Sequence, residues 1–285
     1  MEQIKKKTAF VFTGGGSLGA VQVGMLRAVV ASGESADFVV GCSVGAINAC
    51  YFAACPDLEC VARLEEIWRN VRRADIFPLT LAIPLGFLFH PDYIVSPNGL
   101  RRLIERHLPY DHLEDAIIPV HVMATDQQGM SIRLSGGCAL NAILASTAMP
   151  GVFPTVDIGG LSLMDGAVAA NTPISAAIEL GATRIIVFTT GYACAMTTPP
   201  AGVVATALHA ITLMINWQLM HELERIPENV SVHVAPTLCP LSISPFDFSA
   251  TQELIVRGEK STRRWIDGGG LLRQSRPSDL SAHRH

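Results

Sequence analysis

The sequence predicts an α/β fold, a three-layer sandwich whose mainly parallel central sheet is covered by helices on both faces. Three observations carry this expectation. Short apolar runs of strand length alternate with longer segments of helical apolar spacing along 285 residues. Glycine-rich turns close the first two strands and open the helices that follow them. Hydrophobic residues make up 49% of the chain and charged residues only 16%, enough apolar material to bury both faces of a sheet.

Taken in order, "TAFVFT" at 8–13 reads as a buried strand ending in glycines, and 17–32 as a helix with Leu18, Val21, Met25, Leu26 and Val29 at helical spacing. "DFVVG" at 37–41 is a second strand and "VGAINACYFAA" at 44–54 a second helix. Strands follow at 120–126, 130–135, 184–190 and 229–236. Helices are expected at 58–72, 97–107, 139–147, 172–180, 203–225 and 249–265. One domain over 1–266 accounts for these elements, and the glycine-rich, then polar stretch 267–285 reads as a poorly ordered tail.

Composition excludes several functions. A net charge of −4 without a long basic block argues against nucleic acid as a partner. The seven cysteines (Cys42, Cys50, Cys55, Cys60, Cys138, Cys194 and Cys239) show no C-x-x-C spacing, so reduced, mostly buried thiols of a cytoplasmic protein are expected, with no metal site. "KKK" at 5–7 before an apolar run imitates a secretory signal, but Gly14, Gly15, Gly16 and Arg27 interrupt it. No apolar run reaches the length of a membrane span; the longest, "IFPLTLAIPLGFLF" at 76–89, carries Pro78 and Pro84. A mean hydropathy of +0.35 points to apolar surface that meets lipid or a partner.

"GGGSLG" at 14–19 satisfies the dinucleotide fingerprint, yet that reading needs an acidic residue at the end of the second strand. The strand ends instead in "GCSVG" at 41–45, a G-x-S-x-G turn that lifts the Ser43 hydroxyl out of the sheet between Gly41 and Gly45. The two strands and the helix between them form one β-α-β unit, so both turns open on the same carboxyl edge. Backbone N–H groups of Gly14, Gly15 and Gly16 at a helix N-terminus then face Ser43, ready for an anion. The anion that suits a serine nucleophile is the oxyanion of an attacked ester, for which each aligned donor contributes roughly 3–4 kcal/mol. A base is still needed. Asp165, before Gly166 and after the alternating "LSLM", is the candidate; alone, Asp-Gly is an ordinary turn, and Asp267 in "DGGG" competes with it beside the polar tail.

With "GGGSLG", "GCSVG" and "DGA" in that order, the chain resembles the patatin-like phospholipases. The likeness extends through "SPNGLRRLIE" at 96–105, "ATDQQG" at 124–129, "AILASTAMPGVFP" at 142–154 and "NTPISAAIELGA" at 171–182, covering roughly 8–190. The resemblance implies a patatin-like fold and a Ser-Asp dyad, with Ser43 as nucleophile and Asp165 as base, working without histidine, metal or cofactor. It implies oxyanion donors at Gly14, Gly15 and Gly16, supported by Gly19, Gly41, Gly45 and Gly166. It also implies a substrate among phospholipids, lysophospholipids or related acyl esters, hydrolysed by a cytoplasmic enzyme in peripheral contact with a membrane. In one respect the chain departs from the family: Leu18 stands where the loop usually carries Arg or Lys.

Rival readings remain open at this stage. A Ser-His-Asp triad would draw on His209, His221, His233, His283 or His285. An acyl-serine can pass to an acceptor other than water, as in an acyltransferase or thioesterase, and a non-catalytic lipid-binding protein can keep the fold. Asp126 reads as a turn residue before "QQG", and "STAMPGVFP" as pocket lining. Segment 76–89 is expected either as a lipid-facing flap, leaning on the membrane through Phe87, Leu88 and Phe89, or as core filler.

Overall fold

The computed structural model describes residues 6–77, 93–191, 202–239, 241 and 243–277. Eight strands form one sheet: β1 (Thr8–Phe12), β2 (Phe38–Cys42), β3 (Val120–Thr125), β4 (Ser131–Leu134), β5 (Val156–Ile158), β6 (Leu161–Asp165), β7 (Arg184–Phe188) and β8 (Ser231–Val234). Their order is β5-β6-β3-β2-β1-β7-β8, with β4 also paired to β3. The five strands from β3 to β8 along that path are parallel, and β4, β5 and β6 form an antiparallel margin.

The helices are α1 (Gly19–Ala31), α2 (Val44–Ala53), α3 (Leu58–Asn70), α4 (Arg73–Ile76), α5 (Asn98–His107), α6 (Ala139–Ser146), α7 (Ala167–Ala170), α8 (Ile174–Glu179), α9 (Val203–Glu224) and α10 (Thr251–Asp267). Alternation along each strand divides them into two layers. Phe10 and Phe12 of β1, Val39 of β2 and Phe188 of β7 join a core with α1, α2, α3, α5, α6 and α10. Ala9, Val11, Val40 and Val187 face the other way, into a second core with α8 and with Leu219 and Leu223 of α9. Ala9, Phe10, Val11 and Phe12 of β1 are fully buried between the two layers, and each large apolar side chain buried there contributes roughly 1.5–3 kcal/mol. The expected three layers and mainly parallel sheet are what the chain forms. Helices α1 and α10 cross at small residues, since a side chain on Gly24 would strike the Ile255 carbonyl at 2.0 Å and one on Gly258 the Val21 carbonyl at 2.6 Å.

Three local features differ from the sequence reading. Residues 268–277 follow α10 back onto β8: the Ser275 N–H donates to Val232 O at 2.8 Å, the Val234 N–H donates to Ser275 Oγ at 2.9 Å, and Leu271 is buried. An edge strand with free backbone groups needs a cover, and this stretch supplies it, so the expected tail is docked as far as 277. Cys239 is a disulfide cysteine, which corrects the expectation of seven free thiols and removes the cysteine argument for a reducing compartment. Strand β5 and the short helix α7 have too few residues to carry a periodicity. Of the segment 76–89, only Ile76 and Phe77 belong to the described residues; Phe87, Leu88 and Phe89 lie outside them. Among the described residues no helix is long and apolar enough to cross a membrane.

Candidate active site

Parallel pairing of β1 with β2 in register brings the two glycine-flanked turns side by side. Ser43 caps α2 with φ +53° and ψ −127°, and it is the one described residue other than glycine at positive φ. That conformation costs about 1–3 kcal/mol and persists only when its surroundings over-determine it. Here they do. The Ser43 N–H donates to Ser146 Oγ at 2.8 Å, and the Ser146 hydroxyl donates onward to Met123 O at 2.6 Å. Close packing completes the elbow: an added Cβ would meet Gly45 O at 2.5 Å from Gly41, Phe12 O at 2.4 Å from Gly45, and Met123 O at 2.4 Å from Gly166. From Gly19 it would meet the Val44 side chain at 2.6 Å.

Asp165 ends β6 and Gly166 starts the turn into α7. Antiparallel pairing of Ala124 with Asp165 sets this end of β6 against β3, and Thr125 Oγ1 donates to Asp165 O at 2.9 Å. The Ser43 hydroxyl donates to Asp165 Oδ2 at 2.7 Å, while Asp165 Oδ1 accepts the Ala167 N–H at 2.8 Å. Both residues are buried. Burial pushes the Asp165 carboxyl up to about 6 from an ordinary 3.8, against the lowering effect of its bonds from Ala167 and Ser43. A carboxylate so placed remains ionised near neutrality yet accepts a proton more readily than one in water.

The glycine loop lies against both residues. Gly14 packs so closely that an added Cβ would stand 2.5 Å from Asn171 Oδ1 and 3.0 Å from Ser43 Cβ. Its own N–H faces the buried Cys42 thiol. The N–H groups of Gly15 and Gly16, by contrast, have no acceptor among the described residues. The loop is held from three sides. Thr190 Oγ1 donates to Gly14 O at 2.6 Å, and the Ser17 N–H donates to Pro245 O at 2.7 Å. A buried relay runs from Trp68 Nε1 to Asn48 Oδ1 (2.8 Å), from Asn48 Nδ2 to Gln22 Oε1 (2.7 Å) and from Gln22 Nε2 to Thr13 O (2.8 Å), the carbonyl just before Gly14. Leu18, in the place of the family's cation, packs against the core instead.

Ser43, Asp165 and Gly16 line an open cavity of about 870 Å³, a volume that includes solvent space at its opening. Its walls are apolar side chains of α2, α3 and α5, with Phe77, Phe153, Phe246 and Phe248 grouped around it. Thr147, Met149, Val152 and Phe153 confirm "STAMPGVFP" as lining, and Ile76 and Phe77 from the Pro-broken segment also belong to the wall. No described histidine lines it. His233, the strand histidine, donates from Nδ1 to Arg273 O at 2.9 Å and is buried under the C-terminal stretch. Asp126 closes a turn, accepting the Gln128 and Met130 N–H groups. Sequence reading did not identify Ser146, Thr190 or Pro245 as supports; only Ser146 carried a signal, lying inside a motif already singled out.

A family model described as patatin-like phospholipase matches residues 10–178. A patatin-like phospholipase domain-containing protein of Caenorhabditis elegans is 27% identical over 184 residues, 64% of this chain and 16% of that protein. Patatin-like phospholipase domain-containing protein 7 of Rattus norvegicus is 27% identical over 187 residues, 64% of this chain and 13% of its own length. The chain thus spans a small part of these relatives. The crystal structure of VipD from Legionella pneumophila aligns with a TM-score of 0.49 at 15% identity, over 93% of this chain and 67% of that one.

Proposed function

We propose, for a chain that belongs to the patatin-like phospholipase family, that it is a serine hydrolase of acyl-lipid esters working by a Ser43–Asp165 dyad. The observation that carries this reading is the 2.7 Å bond from Ser43 Oγ to a buried Asp165 carboxylate in the lining of an apolar cavity. Ser43 Oγ attacks the ester carbonyl carbon while its proton passes to Asp165. The tetrahedral oxyanion is held by the N–H groups of Gly15 and Gly16, and Gly14 serves as the close-packed wall behind the nucleophile. Collapse expels the alcohol, which takes the proton back from Asp165. Water then attacks the acyl-serine with Asp165 again as base.

The cavity accepts the acyl chain: among the described residues its lining offers no charged side chain except Asp165. The head group therefore stays at the mouth, with Leu18 offering it no charge. Hydrolysis is preferred over a purely binding role because a lipid-binding site has no use for a desolvated carboxylate bonded to a strained serine. A cytoplasmic location with peripheral membrane contact suits such a substrate, and nothing in the charge distribution suits nucleic acid.

Fluorophosphonate labelling and turnover of p-nitrophenyl esters test the proposal. Ser43→Ala is expected to lose activity by about 10⁴–10⁶-fold and all labelling. Labelling of another serine with Ser43 unmodified refutes it, and acyl transfer to an added alcohol in preference to water turns the reading toward an acyltransferase.

A further inference from the structure

A group of reactive side chains outside the cleft has no part in this chemistry. Cys55 follows the end of α2, half-buried, and Cys60 lies in the first turn of α3, buried. The two thiols interact with each other. Cys60 Sγ also donates to Tyr51 O at 3.1 Å, and the Arg63 guanidinium, one turn further along α3, donates to Cys55 Sγ while pairing with Glu59 at 2.6 Å. Both cysteines are free.

We propose that Cys55, Cys60 and Arg63 form a peroxide-reactive dithiol site that closes into a reversible disulfide across the α2–α3 turn. The roles divide by exposure. Cys55 is the less buried of the two and its sulfur accepts a guanidinium N–H from Arg63, the kind of setting in which cysteines react. Cys60 is held as a thiol, because burial pushes it up to about 12. Cys55 attacks one oxygen of hydrogen peroxide, the O–O bond breaks, and the released hydroxide leaves as water with the thiol's proton. Cys55 is then a sulfenic acid. Cys60 sulfur attacks the Cys55 sulfur, the S–O bond breaks, and the second hydroxide takes the Cys60 proton to leave as water. Two thiols lose two hydrogens and peroxide becomes two waters. The new bond replaces the Cys60 contact with the carbonyl of Tyr51, a residue of the cavity wall.

Cys138 supplies the internal control, because it is a free and exposed cysteine. The purified chain would be treated with one equivalent of hydrogen peroxide, alkylated, and mapped by peptide mass. The expected product is a Cys55–Cys60 peptide lighter by two hydrogens, restored by a thiol reductant, with Cys138 still alkylated. Cys60→Ser should stop at a dimedone-reactive sulfenic acid on Cys55, and Arg63→Gln should slow the first step roughly tenfold. Oxidation of Cys138 with Cys55 and Cys60 left alkylatable overturns the proposal, and so does dimedone capture on Cys60 in Cys55→Ser at the wild-type rate. The mapping of the unsubstituted chain decides the matter even where a variant folds poorly.

Discussion

Replacing Asp165 by Asn keeps the shape of the side chain and removes its charge, so stability and activity should move in opposite directions. The groups bonded to the carboxyl are the Ser43 hydroxyl and the Ala167 N–H, both of which an amide can still meet through one nitrogen and one oxygen. The folded carboxyl stands at about 6, against 3.8 for an ordinary one. Because the folded value is raised, the contribution of this group to stability is complete below about pH 4. It is lost as pH rises to about 6, and it stays lost above. At ~1.4 kcal/mol per pH unit the ionised Asp165 costs the fold about 3 kcal/mol at pH 8. Asp165→Asn should recover most of that cost, raising the melting temperature by roughly 5–10 °C at pH 8 and by nothing at pH 4. Activity should fall nearly as far as in Ser43→Ala, since no base remains. Urea titration or thermal melting at the two pH values, with ester turnover alongside, measures both effects. An equal change in stability at pH 4 and pH 8 would refute the desolvated-carboxylate argument. Retained activity, paired with loss in His233→Ala, would refute the dyad.

Two further expectations concern the same site. Activity of the native chain on short soluble esters should rise with pH through about 6, the range in which Asp165 ionises; a limb displaced to the ordinary carboxylate range would mean a solvated aspartate, and the pH–rate profile is the check. Gly16→Ala should lower kcat by about 10²–10³-fold, because Gly16 sits at φ +59° and its new Cβ would stand 2.4 Å from Pro245 O, displacing the N–H proposed as an oxyanion donor. Gly33→Ala, at φ +89° with nothing within 4 Å, carries the backbone strain without the displacement and should leave kcat unchanged; parallel kinetics and melting of the two variants separate positioning from stability.

Much of this arrangement was legible in the chain because it is local. A strand, three glycines and a helix, followed by a strand ending in G-x-S-x-G, obey short-range rules of turn sterics and parallel pairing. The neighbourhood of Gly14–Gly16 and Ser43 therefore followed from β1-α1-β2 alone. Asp165 is different. By spacing it is one more Asp-Gly turn, and what makes it the candidate base is the pairing of β6 with β3, which places it 2.7 Å from Ser43 in space although 122 positions away in the chain. Its desolvation is likewise a property of the assembled layers rather than of any segment.

Distant contacts also decided what short-range pattern could not express. Gly14 sets its N–H beside the Cys42 thiol, and its carbonyl is held by Thr190 from far along the chain. Ser146 became the support of the elbow because α6 ends against β3, and Pro245 pins the glycine loop from a segment with no periodicity of its own. Residues 268–277, polar and glycine-rich, dock because β8 is an edge strand whose backbone groups need partners, a demand that arises only once the sheet exists. The sequence by itself thus determined the strand–turn–helix units and the residue types at their ends. The tertiary structure decided which of those ends meet, which donors stay free and how far water is excluded, because these depend on contacts between segments far apart in the chain.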